Sequence, residues 1–213
     1  MYRDTLIAQL QYRLGNRTEL ETKMIAEMDF VQQTLCEGTG AFTPWFLETE
    51  IASVSTQADE ERVQLPADFL GEIEDQALWL YDATNEDAPY TELHKSSYDR
   101  LILRHQIAGI PSEYAMAGDY FLLRPIPDDI YTIRMRYYAQ DVLPSTGNIE
   151  NKWLKEAPDL IIAELGAIIA GEYIRNPQLA AEYVQKAAIA RDRLYKRHER
   201  RMHANRTYGM GED

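Results

Sequence analysis

The stretch GDYFLLRPIPDDIYTIRMRYYAQ, residues 118–140, decides what the middle of this chain must be. Two strand-like runs flank a turn of prolines and aspartates, which predicts a β-hairpin. In the second run Tyr131, Ile133, Met135 and Tyr137 share one face, and Thr132, Arg134, Arg136 and Tyr138 the other, because side chains alternate along a strand. The first face is apolar. The second turns arginine and tyrosine outward, in a protein whose net charge is −13.

Similar texture surrounds this stretch. Residues 42–57 (FTPWFLETEIASVSTQ) open with an aromatic cluster and become strand-like, and 61–70 (ERVQLPADFL) and 76–84 (QALWLYDAT) read as short strands. Residues 89–105 (PYTELHKSSYDRLILRH) could form a helix beside the sheet. Pro89, Pro111, Pro125, Pro127 and Pro144 punctuate the region as turns do. Residues 41–145 are therefore expected to form a small antiparallel sheet with one or two helices.

Helical periodicity brackets that region. Leu6, Leu10 and Leu14 are spaced four apart, and Gly15-Asn16 can close the helix in the left-handed conformation. Thr18 to Glu21 fits a capping box for a second helix carrying Leu20, Met24, Met28, Val31 and Leu35. Residues 151–174 are apolar almost all round, with Ala163, Gly166, Ala167, Ala170 and Gly171 permitting close backbone approach. After Asn176-Pro177, Leu179, Tyr183, Ala187, Ala190 and Leu194 mark a last helix. The predicted fold is α+β: a mainly α-helical bundle (1–40 and 146–198) made of an N-terminal helical hairpin and two long C-terminal helices. A small antiparallel β-sheet domain (41–145) is inserted in it, and an extended C-terminal arm (199–213) follows.

Charge is unevenly spread. Residues 186–206 hold eight basic against two acidic side chains, a surplus of six, so the remainder carries −19. Such asymmetry suggests a basic end that meets a partner, or else a solvated helix face. The N-terminus lacks a signal-peptide core, and the apolar run 160–174 contains Glu164 and Glu172, so a soluble protein made in the cytoplasm, with no membrane partner, is expected. The single Cys36 excludes an internal disulfide or a cysteine-based zinc site.

Catalytic signals are weak throughout. No phosphate-cradling glycine loop and no GxSxG elbow occur. His198-Glu199 and His203 resemble a zinc-protease motif, but the second histidine comes one residue too late to share a helix face. Asp128-Asp129 reads as a turn rather than an acid–base pair. The expectation is no enzyme, no metal and no cofactor.

Four phrases carry a resemblance: VQLPADFL (63–70), PYTEL (89–93), GIPSEYAMAGDYFLLRPIPDDIYTIRMRYY (109–138) and NKWLKEAPDLIIAELGAIIAGEY (151–173). Their specific core is Gly109, Pro111, Tyr114, Gly118, Pro125, Pro127, Asp128, Tyr131, Tyr137 and Tyr138. The chain resembles the head-to-tail adaptor (connector) proteins of tailed bacteriophages, the family that includes tail tubular protein A. The resemblance implies a virion structural protein at the head–tail junction, forming a ring typically of twelve subunits between the portal protein and the tail or nozzle. Genomic DNA would pass through its channel without sequence-specific binding. It further implies portal docking by the C-terminal segment, here Arg197, Arg200, Arg201, Met202, Asn205, Arg206 and Tyr208. Arg134, Arg136 and Tyr138 are the expected inter-subunit contacts. The rival readings are another neck or tail-completion protein, or a nucleic-acid-binding module using the basic helix.

Overall fold

The computed structural model describes residues 1–36, 42–49, 52–73, 78–82, 85–141 and 150–207, with the backbone alone described for 85–90 and for 202–207. The chain divides into two compact units: Met1–Leu47 with Gln140–Asp213, and Glu48–Ala139.

The first unit is helical. Helix α1 (Arg3–Arg13) buries Leu6, Ile7 and Leu10, and Gly15 and Asn16 both take positive φ, ending the helix as their spacing predicts. The expected capping box does not form: Thr18–Leu20 is a 3-10 turn without a side-chain cap, and Arg17 instead holds Glu19. Helix α2 (Glu21–Cys36) buries Met24, Met28, Val31 and Leu35, the predicted stripe. Helix α4 (Lys152–Glu156) is capped by the Asn151 side chain, which accepts from the Leu154 amide at 2.9 Å. Its Trp153 is fully buried, and the indole N–H donates to the Cys36 sulfur at 3.1 Å.

Helix α5 (Pro158–Ile168) continues into a π-helical turn, Ile169–Tyr173. Arg175 at positive φ and the Asn176 cap then reverse the chain into helix α6 (Pro177–Thr207). These two helices make the most extensive contact in the unit. Tyr183, Ala187 and Leu194 of α6 are buried, at helical spacing. A Cβ built on Gly166 of α5 would lie 2.4 Å from Cδ1 of Tyr183, so the ring occupies the space a side chain would need.

The second unit is built on a sheet. Strands β1 (Ala52–Ser55), β2 (Arg62–Gln64), β4 (Leu78–Asp82), β5 (Asn85–Lys95), β7 (Glu113–Ala117), β8 (Tyr120–Arg124) and β10 (Tyr131–Met135) form one seven-stranded sheet, in the order β1-β10-β4-β5-β7-β8-β2. Between them lie β3 (Phe69–Glu72), which pairs with β11 (Tyr137–Ala139), and β6 (Ala108–Gly109), which pairs with β9 (Ile126–Pro127). Neighbours in the large sheet are antiparallel except β5 and β7. The sheet curls so that its end strands β1 and β2 approach each other. Its core is Val63, Leu65, Leu78, Leu80, Leu93, Phe121, Leu123, Ile133 and Met135, with Tyr114, Tyr131 and Tyr137 among them. On the opposite face helix α3 (Tyr98–Ile102) covers Ala115 and Leu122 with Leu101.

This overturns the predicted fold class. The chain is not a mainly helical bundle with a small inserted sheet. The described residues hold six α-helices beside a large, almost barrel-like seven-stranded sheet. Its strands are only three to eleven residues long, and how many join one sheet depends on pairing between distant segments, which local pattern does not report. Residues 199–207 are helical, so the expected extended arm is not seen there, and 208–213 lie outside the described residues.

Residues 118–140 are not one hairpin either. β8 turns back on β7 across Gly118-Asp119, and three strands separate it from β10. The alternation itself holds: Tyr131, Ile133, Met135 and Tyr137 are all buried. Thr132, on the other face, is buried as well.

Replacing Gly166 by alanine should lower stability by roughly 1–3 kcal/mol, the usual cost of overpacking a core. Urea unfolding reads this directly, and an unchanged midpoint would show that α5 and α6 are not packed this closely.

Candidate functional site

The distal half of α6 carries the basic residues. Helical spacing puts Arg197 and Arg201 one turn apart on the same face, with His198 beside them. Opposite that face stands a 3-10 turn, Trp45–Leu47, whose Trp45 is only 8% exposed. The Arg197 guanidinium lies 5.0 Å from the Trp45 ring centroid and that of Arg201 4.9 Å, so one indole serves two cations. Arg197 also donates to the Glu156 carbonyl and, at 2.9 Å, to its carboxylate. It thereby ties the helix to the C-terminal end of α4.

Aromatic contacts extend the cluster. The His198 ring lies near-parallel to Trp45 at 6.4 Å and 5.2 Å from Phe42, which also meets Tyr195 edge-on at 5.2 Å. The Tyr195 hydroxyl donates to Glu199 at 2.7 Å. Burial holds the His198 pKa below its ordinary value, Glu199 pulling weakly the other way, and the ring's Nδ1 has no partner. Desolvation of the half-buried ring is what disfavours its charged form.

Of the residues predicted to dock, the structure brings Arg197 and Arg201 together on Trp45 and leaves Arg200 exposed. Met202, Asn205 and Arg206 lie on the helix, their side chains outside the description, and Tyr208 lies outside the described residues. Trp45, Phe42 and Glu156 were missed as members. The four-residue spacing of Arg197 and Arg201 was a signal for a shared face, but nothing local links it to residue 45.

The second predicted set lies on the sheet unit. Arg134 sits 4.3 Å over the Tyr81 ring, and Arg136 pairs with Glu48 at 2.8 Å while keeping 42% of its side chain exposed. Tyr138 is half-buried between Gly71 of β3 and a bridge to Glu48. The three remain on the outer side of the strand, each close to residues of its own unit.

Among the described residues no group of His, Cys, Asp or Glu side chains is arranged to hold a metal, and no helix is long and apolar enough to cross a membrane. Asp128 accepts from the Tyr131 hydroxyl at 2.6 Å and Asp129 from the Ile130 amide at 2.7 Å, so both carboxylates shape the turn.

Because His198 has a lowered folded pKa, its contribution to stability is complete above about pH 6.5 and is lost as pH falls toward the folded value. Between pH 7 and pH 5 the wild type should lose more stability than His198→Phe, measured by urea unfolding at each pH. Equal losses would mean that the ring titrates freely.

The model of one family, SU10 adaptor protein, matches residues 1–209. No curated protein matches the chain. The match takes in both units, with the basic helix and the seven-stranded sheet alike, and the chain belongs to the SU10 adaptor proteins, a family of phage head-to-tail adaptors.

Proposed function

We propose that this adaptor assembles as a ring, of twelve copies, between the portal of a filled phage head and the tail or nozzle. The role is architectural rather than catalytic, and its place is the virion. Genomic DNA passes through the ring's centre without sequence-specific binding. The observation that carries the reading is the charge division on a family member: a basic end on a 31-residue helix, attached to a body that is strongly acidic. Acidic walls repel phosphates and let a genome slide, whereas basic walls would retain it.

The basic end of α6 is the portal-docking element. Arg200 is exposed for this role, and Arg197 and Arg201 present partly exposed guanidiniums already oriented by Trp45. Orienting an arginine in advance lowers the side-chain entropy lost on binding. Arg134, Arg136 and Tyr138 face the neighbouring copy, whose acidic body complements them. Single exposed ion pairs contribute about 0–1 kcal/mol each, so the contact fixes register rather than supplying most of the affinity.

Light scattering with negative-stain imaging of the same peak tests the assembly. Rings support the reading outright, and a monomer that forms rings on added portal supports assembly on the portal. A monomer that never associates with portal overturns it.

Removing residues 199–213 should leave the fold intact, because Arg197 keeps both Glu156 and Trp45, yet abolish portal attachment in a pull-down. Unchanged attachment would sink the docking role.

Reversing Arg136 to glutamate should weaken ring assembly, and adding Glu48→Arg should restore the pair within the chain without restoring the ring. If the double exchange rescues assembly, Arg136 serves only its own unit.

A further inference from the structure

A groove runs between α5 and α6 beside the last turn of α1, all within the helical unit. Two hollows of about 300 and 150 Å³ share Asp159, Ala190 and Arg193, so they form one trough. Ile162, Ala163 and Tyr183 give it an apolar floor, and the exposed Ile189 lines it as well. Arg13, Lys186, Arg193 and Arg197 border it against Glu156 and Asp159, a surplus of two positive charges. Arg197 is tied to Glu156, and Lys186 reaches Glu182 only at 4.0 Å. Arg13 and Arg193 are exposed, and neither meets a carboxylate within ion-pair distance among the described residues. In a chain of 35 acidic and 22 basic residues, unpaired arginines beside an apolar floor fit an acidic partner with an apolar anchor.

The same unit carries such an anchor. Phe30 of α2 is 61% exposed, while the other four phenylalanines are buried or half-buried. Asp29 beside it is exposed and has no ion pair among the described residues. Residues 18–36 hold Glu19, Glu21, Glu27 and Asp29 against Lys23 alone, so the helix is acidic where the groove is basic. Phe30 does not line the groove of its own chain. The larger hollow exceeds the roughly 150 Å³ of a cavity that takes a benzene ring, and an aromatic anchor in a pocket is what holds many interfaces together.

We propose that the groove between α5 and α6 receives helix α2 of a second copy of this chain, with Phe30 in the trough and Asp29 against the rim of Arg13 and Arg193. Resting on the ring reading above, this contact adds to it the surface by which one copy holds the next. Groove and helix are different patches, so the contact is head-to-tail. Every copy offers Phe30 to one neighbour and its groove to the other, and such contacts close into a ring when the rotation between copies permits. One aromatic side chain buries about 150–250 Å², well short of the ~1,200 Å² of a stable interface. A single pair is therefore weak, and the contact gains from closure of the ring.

Photo-crosslinking in the full chain captures even a weak contact. Benzoylphenylalanine in place of Phe30 should join copies to one another, and trypsin digestion should map the link to residues 156–175 or 187–191, which line the groove. Arg193→Glu in the same chain should lower the yield about tenfold, the expected result of turning attraction to Asp29 into repulsion. Mixed with Phe30→Asp, whose groove is intact, that doubly altered chain should give crosslinked dimers and nothing larger. Links to other parts of a second copy, links to the portal instead, or no linked copies with or without portal would overturn the proposal. So would a yield unchanged by Arg193→Glu, or loss of duplex DNA retention in that variant with self-association intact. Rings that persist in both Phe30→Asp and Arg193→Glu would leave the ring standing and overturn this contact. Groove links found only in dimers or open chains would uphold the contact and overturn the ring. Both side chains are exposed, and circular dichroism establishes that the variants remain folded.

Discussion

The ring of Tyr183 occupies the volume that any side chain on residue 166 would fill, and the helical unit depends on that approach. Glycine there lets α6 settle against α5 over its buried residues Tyr183, Ala187 and Leu194. The Arg191–Glu164 ion pair bridges the same two helices farther along. Only because the proximal half of α6 is held so closely does its distal half pass Trp45, where Arg197 and Arg201 share one indole face. A helix of this length would otherwise carry its charges into solvent without preferred orientation.

The sheet unit solves a different problem. Its strands are too short to be stable singly, so they are tied by side chains that bond to backbone. Thr56 and Tyr131 are joined by one backbone bond and one to a side chain: the Thr56 amide donates to the Tyr131 carbonyl, and the Tyr131 amide to the Thr56 hydroxyl, each at 2.8 Å. Thr49 and Tyr137 repeat the arrangement. The Tyr137 hydroxyl donates to Asp68 at 2.8 Å, and burial with that carboxylate pushes its pKa up to about 12. Arg124, 2% exposed, is kept inside by Glu61 at 2.8 Å and by the Leu123 carbonyl. A buried guanidinium is tolerated only with such partners.

Arginine over an aromatic ring recurs across both units: Arg197 and Arg201 on Trp45, Arg134 on Tyr81, Arg62 on Tyr120. The planar guanidinium can stack on one face and keep its in-plane donors for another partner. In an acidic protein this keeps cations in defined places rather than lost to the nearest carboxylate.

What the sequence by itself determined was what is local. Leu6, Leu10 and Leu14, the stripe of α2, the alternation from Tyr131 to Tyr137, the positive-φ stop at Gly15-Asn16 and the break at Asn176-Pro177 are set by neighbours within a few residues, and all were legible. So was the family, because its motifs are contiguous phrases. The tertiary structure alone decided how many strands share one sheet, that β8 pairs with β7 and not with β10, and that Arg197 and Arg201 meet Trp45. The first and last of these join segments far apart in the chain, while β7 and β8 meet across the local turn at Gly118-Asp119 and β10 is drawn away to β4 and β1. The free energy that selects among them comes from burial and from hydrogen bonds completed across the sheet, and periodicity records which face is buried but not what buries it.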